Sequence, residues 1–69
     1  MMNNISKSYL EKGLPSYVSE SISSLVQERA KGSLQIDCLE EELKSNLNIA
    51  RVANQINDEQ VTYIREKYL

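Results

Sequence analysis

The stretch that decides the fold is PSYVSESISSLVQERAKG, residues 15–32. Its apolar residues, Val18, Ile22, Leu25 and Val26, recur at intervals of three and four, the spacing of one face of an α-helix. Proline suits a first helical position, and glycine is favoured just after a last one. The stretch therefore predicts a helix over residues 15–31. Packing must hold it together, because its serines are only moderate helix formers.

The segment before this helix is polar at its start. Gly13, Leu14 and Pro15 mark a boundary, because a proline pushes the residue before it out of the α-helical region. Terminal residues without a strong apolar pattern seldom hold a fixed structure. We expect residues 1–13 to be a frayed N-terminal segment and residues 14–69 to form a single helical domain.

A second helix is predicted from DCLEEELKSN, residues 37–46, starting at about Cys38. Asp37 and Glu40 have the spacing of an acidic variant of the capping box, and glutamates early in a helix complement its dipole. Asparagines then interrupt the helical pattern, and such residues favour tight corners. We expect a break near Ser45–Asn48.

Two shorter helices are expected after that break. Residues 49–56 place their apolar side chains on one face and predict a helix of about two turns. Asn57 and Gln60 have the spacing of a second capping box. The last helix follows, with an apolar stripe of Val61, Ile64 and Tyr68.

These elements predict an all-α fold, a compact bundle of three to four short helices with the longest helix near the N-terminal half. The chain has no Phe and no Trp, so its core is aliphatic and leaves little room for an internal active-site cavity. The predicted core consists of Val18, Ile22, Leu25, Leu39, Leu43, Leu47, Val52, Ile56, Val61 and Ile64.

Charge and composition limit the function. Eight Lys and Arg against ten Asp and Glu give a net charge of -2, the wrong sign for a domain that depends on phosphate contacts. The single cysteine excludes an intrachain disulfide and fits the reducing cytoplasm. No apolar run approaches the roughly 18 residues of a membrane span. We expect a cytoplasmic protein, with no membrane partner and with nucleic acid disfavoured.

No catalytic, cofactor or metal site is expected. The chain has no histidine and no second cysteine, so Cys38 can form neither a zinc site nor a Cys-His nucleophile within one chain. We interpret Cys38 as a structural cysteine, since free cysteines are usually buried. Glu40, Glu41 and Glu42 are interpreted as a solvated helix start, because successive helical residues point in different directions. The leading hypothesis is a small non-enzymatic interaction or regulatory protein.

The last helix leaves two interpretations open. Tyrosine and arginine are enriched at interface hot spots, so Tyr63, Arg65 and Lys67 are candidate residues for binding a protein partner or a second copy of the chain. The alternative is a helix-turn-helix-like C-terminal pair that binds nucleic acid, with Asn57 at the left-handed position of the turn. The acidic pair Asp58–Glu59 disfavours it, because both charges would lie beside phosphates.

Three stretches together, LPSYVSESISSL, DCLEEELKSNLNIA and INDEQVTYIREKYL, resemble small uncharacterised bacterial proteins of the accessory cargo of mobile genetic elements. The resemblance covers most of residues 14–69. It implies a cytoplasmic bacterial protein with an unassigned role. It supplies no catalytic or binding residues.

Overall fold

The computed structural model describes residues 8–69, which contain three α-helices, one short 3-10 helix and no strand. The all-α fold class is therefore confirmed. The elements in chain order are η1 (Ser8–Glu11), α1 (Ser16–Lys31), α2 (Ile36–Val52) and α3 (Asp58–Tyr68).

The helix predicted over residues 15–31 is α1, which begins one residue later than predicted and ends at Lys31 as predicted. Pro15 is the N-cap residue in an extended conformation, with ψ at 148°. Gly32 ends the helix in the left-handed region, with φ at 71°. The N–H of Ser33 then donates to the Glu28 carbonyl at 3.0 Å, which satisfies a carbonyl that the helix end leaves free. Local signals at both ends therefore set the limits of α1.

The second helix, α2, contradicts the predicted break near Ser45–Asn48. It runs without interruption from Ile36 to Val52. The separate helix predicted over residues 49–56 does not exist, because residues 49–52 are the last turn of α2. With 17 residues against the 16 of α1, α2 is also the longest helix, so the longest helix does not lie near the N-terminal half as predicted. The bundle has three α-helices within the described residues.

The two predicted capping boxes have different outcomes. The one at Asp37 and Glu40 is wrong: α2 begins two residues earlier than predicted, its N-cap residue is Gln35, and no side chain caps it. Asp37 instead lies inside the first turn, where its charge still complements the helix dipole. The box at Asn57 and Gln60 is confirmed, because each side chain accepts a 2.9 Å bond from the backbone N–H of the other.

The core forms where α1 and α2 pack as an antiparallel pair and α3 closes over them. Arg29 near the end of α1 contacts Glu40 near the start of α2, while Ser21 contacts Asn46 further along. This order of contacts defines the antiparallel arrangement. The buried core residues are Val18, Ile22, Leu25, Leu43, Leu47, Ala50, Ile56 and Ile64.

Three predicted core residues are placed differently. Leu39 and Val61 are only partly buried and pack against the edge of the core. Val52 is 72% exposed, so its assignment to the core is wrong. Because α2 continues without a break, Ala50 takes the inward position and Val52 points to solvent.

The N-terminal segment that was expected to fray contributes to the fold. Residues 1–7 lie outside the described residues. Residues 8–11 form η1, which packs against α3, and the side chain of Leu10 is only 5% exposed. Fraying does not extend through η1, because Leu10 gains apolar contact on α3 that the local sequence could not indicate.

Candidate functional site

The three predicted partner-binding residues all lie on α3, but the helix divides them between two surfaces. Tyr63 and Lys67 are one turn apart and share a face, where both contact η1. Arg65 points elsewhere and lines a groove between α3 and α2. The structure therefore brings two of the three together and separates the third.

The first surface is the Glu11 cluster, formed by Glu11, Tyr63, Lys67 and Tyr68. Lys67 Nζ lies 2.7 Å from Glu11 Oε2, and the Tyr63 hydroxyl donates to the same oxygen at 2.9 Å. The Tyr68 hydroxyl donates to Glu11 Oε1 at 2.8 Å. Both oxygens of one carboxylate are therefore occupied by donors from α3.

The ammonium group also lies over both aromatic rings. Lys67 Nζ is 5.5 Å from the ring centroid of Tyr63 and 5.2 Å from that of Tyr68, within the range of cation–π attraction. It further donates to the Tyr63 hydroxyl at 3.2 Å. The Lys67 ammonium group therefore interacts with three groups, which are the Glu11 carboxylate and the rings of Tyr63 and Tyr68.

These contacts shift the protonation equilibria of the cluster. Partial burial raises the pKa of Glu11, but hydrogen bonds from Lys67, Tyr68 and Tyr63 lower it by more, so the net pKa lies below the usual 4.5. The hydrogen bond to Glu11 raises the pKa of Lys67 strongly, with a further contribution from Tyr63. Burial and then the bond to Glu11 raise the pKa of Tyr68. The Glu11 carboxylate and the Lys67 ammonium are therefore stabilised as a charged pair at neutral pH.

Sequence reasoning found only part of this cluster. The spacing of Tyr63 and Lys67 indicates a shared face, and Tyr68 was expected to pack. Glu11 was missed, because it lies 52 to 57 positions from its partners. No local pattern in the sequence signals a contact over that separation.

The second surface is the α2–α3 groove, an open hollow of about 500 Å³. Buried Leu47 and half-buried Val61 give it an apolar base. Its charged lining residues are Lys44, Arg51, Asp58, Arg65 and Glu66. The groove therefore offers apolar contact at its base and charges of both signs at its rim.

Most of the rim charges already have partners. Arg51 Nη1 lies 2.9 Å from Asp58 Oδ1 across the groove, and Lys44 Nζ lies 3.1 Å from a carboxylate oxygen on its own helix. Arg65 makes no ion pair with any residue in the range 8–69. Its exposed guanidinium is therefore a groove charge without an ion-pair partner among these residues, and the exposed carboxylate of Glu66 is another.

The side chains considered for catalysis or metal binding are exposed or ion-paired. Cys38 is exposed, contrary to the usual burial of a structural cysteine, because the outer face of α2 carries it. Glu40 pairs with Arg29 at 2.7 Å, and Glu41 pairs with Lys44 on its own helix. Over residues 8–69, no three His, Cys, Asp or Glu side chains are gathered as a metal ion requires.

The turn between α2 and α3 differs from the one expected for a helix-turn-helix. Asn54, with φ at 60°, takes the left-handed position that was predicted for Asn57. Asn57 is extended, with φ at -108°, because its side chain caps α3. The acidic first turn of α3 is confirmed, and Asp58 and Glu59 are both exposed there.

Comparison with models of known protein families gives no match. Comparisons with curated proteins and with solved structures give none either. Among the helices of residues 8–69, none has the length and apolar character that crossing a membrane demands. The two surfaces of α3, the Glu11 cluster and the α2–α3 groove, are the features of the fold on which a function can be based.

Proposed function

We propose that this chain is a small non-enzymatic protein-interaction domain that docks a partner in the α2–α3 groove. The single observation that carries the proposal is the combination of an apolar base, Leu47 with Val61, and beside it Arg65, which makes no ion pair within residues 8–69. Protein interfaces commonly pair an apolar centre with a polar rim, and arginine is enriched among their hot spots. A partner segment that places an apolar side chain over Val61 and a carboxylate beside Arg65 fits this groove.

The absence of histidine from the sequence supports a non-enzymatic role. The carboxylates Glu40 and Glu41 are ion-paired with Arg29 and Lys44. The single cysteine is in keeping with the cytoplasm as the place of action.

The test is affinity capture from a native lysate with the wild-type chain, Arg65→Glu and Lys31→Glu. Lys31→Glu is the matched control, because it makes the same charge change on an exposed residue at the far end of α1. A protein that survives nuclease treatment and is retained by the wild type and by Lys31→Glu, but lost with Arg65→Glu, is the expected result. Hydrogen exchange should then show protection on both sides of the groove. Equal capture by all three forms contradicts docking at Arg65.

Nucleic-acid binding is the second candidate function. It is favoured by one observation: α2 and α3 are joined by a five-residue turn, residues 53–57, with Arg51 and Arg65 in the groove between them. The exposed acidic pair Asp58–Glu59 opposes it. It predicts duplex binding at low salt that weakens as salt rises and with Arg65→Ala or Lys67→Ala. No binding at low salt would exclude this candidate.

A second copy of the chain is the third possible partner, because a domain of this size buries little apolar surface by itself. Sedimentation equilibrium distinguishes it from a different protein. A folded monomer at micromolar concentration rules out an obligate homodimer.

A further inference from the structure

The contact between η1 and α3 has the form of a bound peptide. Leu10 places a buried side chain against α3, and its backbone carbonyl accepts a hydrogen bond from Gln60 Nε2 at 3.1 Å. Glu11, the next residue, supplies the carboxylate that receives three donors, from Tyr63, Lys67 and Tyr68. An apolar side chain, a backbone carbonyl and a carboxylate thus make all these contacts within two consecutive residues.

The receiving surface is built on α3 alone. Gln60, Tyr63 and Lys67 follow at intervals of three and four and therefore line one face of that helix, with Tyr68 beside them. Gln60 is fixed by the capping box, since its Oε1 accepts from Asn57 N at 2.9 Å while its Nε2 reaches Leu10. The backbone of α3 therefore places the four side chains, and the capping box fixes Gln60 independently of η1.

The resident segment has little structure of its own and depends on its contacts with α3. Its four residues form a single 3-10 turn, and such short turns do not persist in isolation. Within residues 8–69, the chain joins η1 to α1 through Gly13, whose φ of 73° is one that glycine adopts without strain. A hollow of about 280 Å³ also opens beside Leu10 and Tyr63, so a longer ligand has room to extend.

We propose that Gln60, Tyr63, Lys67 and Tyr68 form a docking site for a partner segment that carries a leucine followed by a glutamate, and that η1 is its resident intramolecular ligand. Any such segment can make the same contacts once η1 leaves. The carboxylate complements the charge of Lys67, and the leucine covers the apolar surface that departure of Leu10 exposes. The site lies on a different face of α3 from Arg65, so it is distinct from the α2–α3 groove.

The test uses a fluorescent peptide of residues 5–13 and a chain whose own η1 is released by the double substitution Leu10→Ala, Glu11→Gln. The peptide should bind this opened chain at least about tenfold more tightly than the wild type, because η1 no longer competes. A peptide with Gln in place of Glu11 should bind about tenfold more weakly, as loss of a charge-assisted hydrogen bond requires. Lys67→Met in the opened chain should weaken binding, and the matched Lys31→Met should not.

Two results overturn the proposal: no peptide binding to an opened chain that circular dichroism shows to be folded, or equal binding of the Glu and Gln peptides. If the double variant does not fold, hydrogen exchange of the single variant Glu11→Gln tests whether the Glu11 carboxylate holds η1 on α3. Amides of residues 9–12 should exchange at least about tenfold faster while those of α1 keep their protection. Unchanged exchange at residues 9–12 means that the carboxylate does not hold η1 on α3, and the proposal fails.

Discussion

Asn46 Nδ2 donates a 2.6 Å hydrogen bond to Ser21 Oγ and so joins the middle of α2 to the middle of α1. Ser21 is only 4% exposed, so its hydroxyl has little access to water. The same Asn46 amide lies 3.4 Å from the carbonyl oxygen of Tyr17. A single asparagine side chain therefore satisfies polar groups at the contact between the two longest helices.

Replacing Asn46 by alanine should lower the free energy of unfolding by about 1–3 kcal/mol, because a buried hydroxyl loses this partner. Ser21→Ala should also lower the free energy of unfolding. The double variant should lose less stability than the two single variants lose together, because each single change already removes the shared Asn46–Ser21 hydrogen bond. Urea denaturation measures all three. Asn48→Ala, at an exposed position two residues further along, should change stability by no more than about 0.5 kcal/mol. Additive losses for Asn46 and Ser21 would show that the bond contributes nothing to stability.

Local signals in the sequence predict the parts of the fold that depend on a few neighbouring residues. Pro15 and Gly32 define α1 because each acts through its own backbone conformation. Asn57 and Gln60 define the start of α3 because they bond to each other over three positions. These predictions needed no knowledge of distant contacts.

Contacts between residues far apart in the sequence explain the predictions that were wrong or incomplete. Its neighbours in the sequence predict that Asn46 interrupts the helix. Its hydrogen bond to Ser21 on α1 compensates for the moderate helix propensity of asparagine. Val52 was assigned to the core on the assumption of a break that is absent. The Glu11 cluster depends on partners up to 57 positions away, which no helical period reveals. For the Glu11 cluster, the sequence therefore named Tyr63 and Lys67 as candidate residues and missed Glu11, the residue that both contact.

The centre of the core should respond strongly to loss of volume. Leu25 is fully buried in α1, so Leu25→Ala should cost about 2–5 kcal/mol through lost burial and the cavity that remains. Val26→Ala on the same helix is the control, because Val26 is 47% exposed and should cost about 1 kcal/mol or less. Chemical denaturation should show a lower midpoint with an unchanged slope for Leu25→Ala. Similar losses for the two variants would place the core elsewhere.

The capping box should stabilise α3 through the side-chain oxygen of Asn57, which accepts a hydrogen bond. Asn57→Ala removes the oxygen that accepts from Gln60 N and should cost about 0.5–2 kcal/mol. Asn57→Asp keeps an acceptor at that atom, and it should retain most of the stability. Thermal unfolding followed by circular dichroism measures both. If the aspartate variant loses as much as the alanine variant, the cap bond does not account for the effect.

The Glu11 cluster should make stability depend on pH in a defined direction. The pKa of Glu11 is lower in the folded chain than its usual 4.5, so its ionised form stabilises the fold. That contribution is fully present above about pH 4.5 and is lost as the pH falls through the lower folded value. Wild type should therefore exceed Glu11→Gln in stability at pH 6 to 7, and the difference should shrink toward pH 3.

Urea titrations of the two chains at pH 7, 5, 4 and 3 measure this difference. The groups that face Glu11 from α3 are Lys67, Tyr63 and Tyr68. The pKa values of Lys67 and Tyr68 are both raised, so these two groups keep their protons in this range. Every other carboxylate is present in both chains, so its contribution cancels in the comparison. A difference that stays constant from pH 7 to pH 3 would mean that the charge of Glu11 contributes nothing to the stability of the fold.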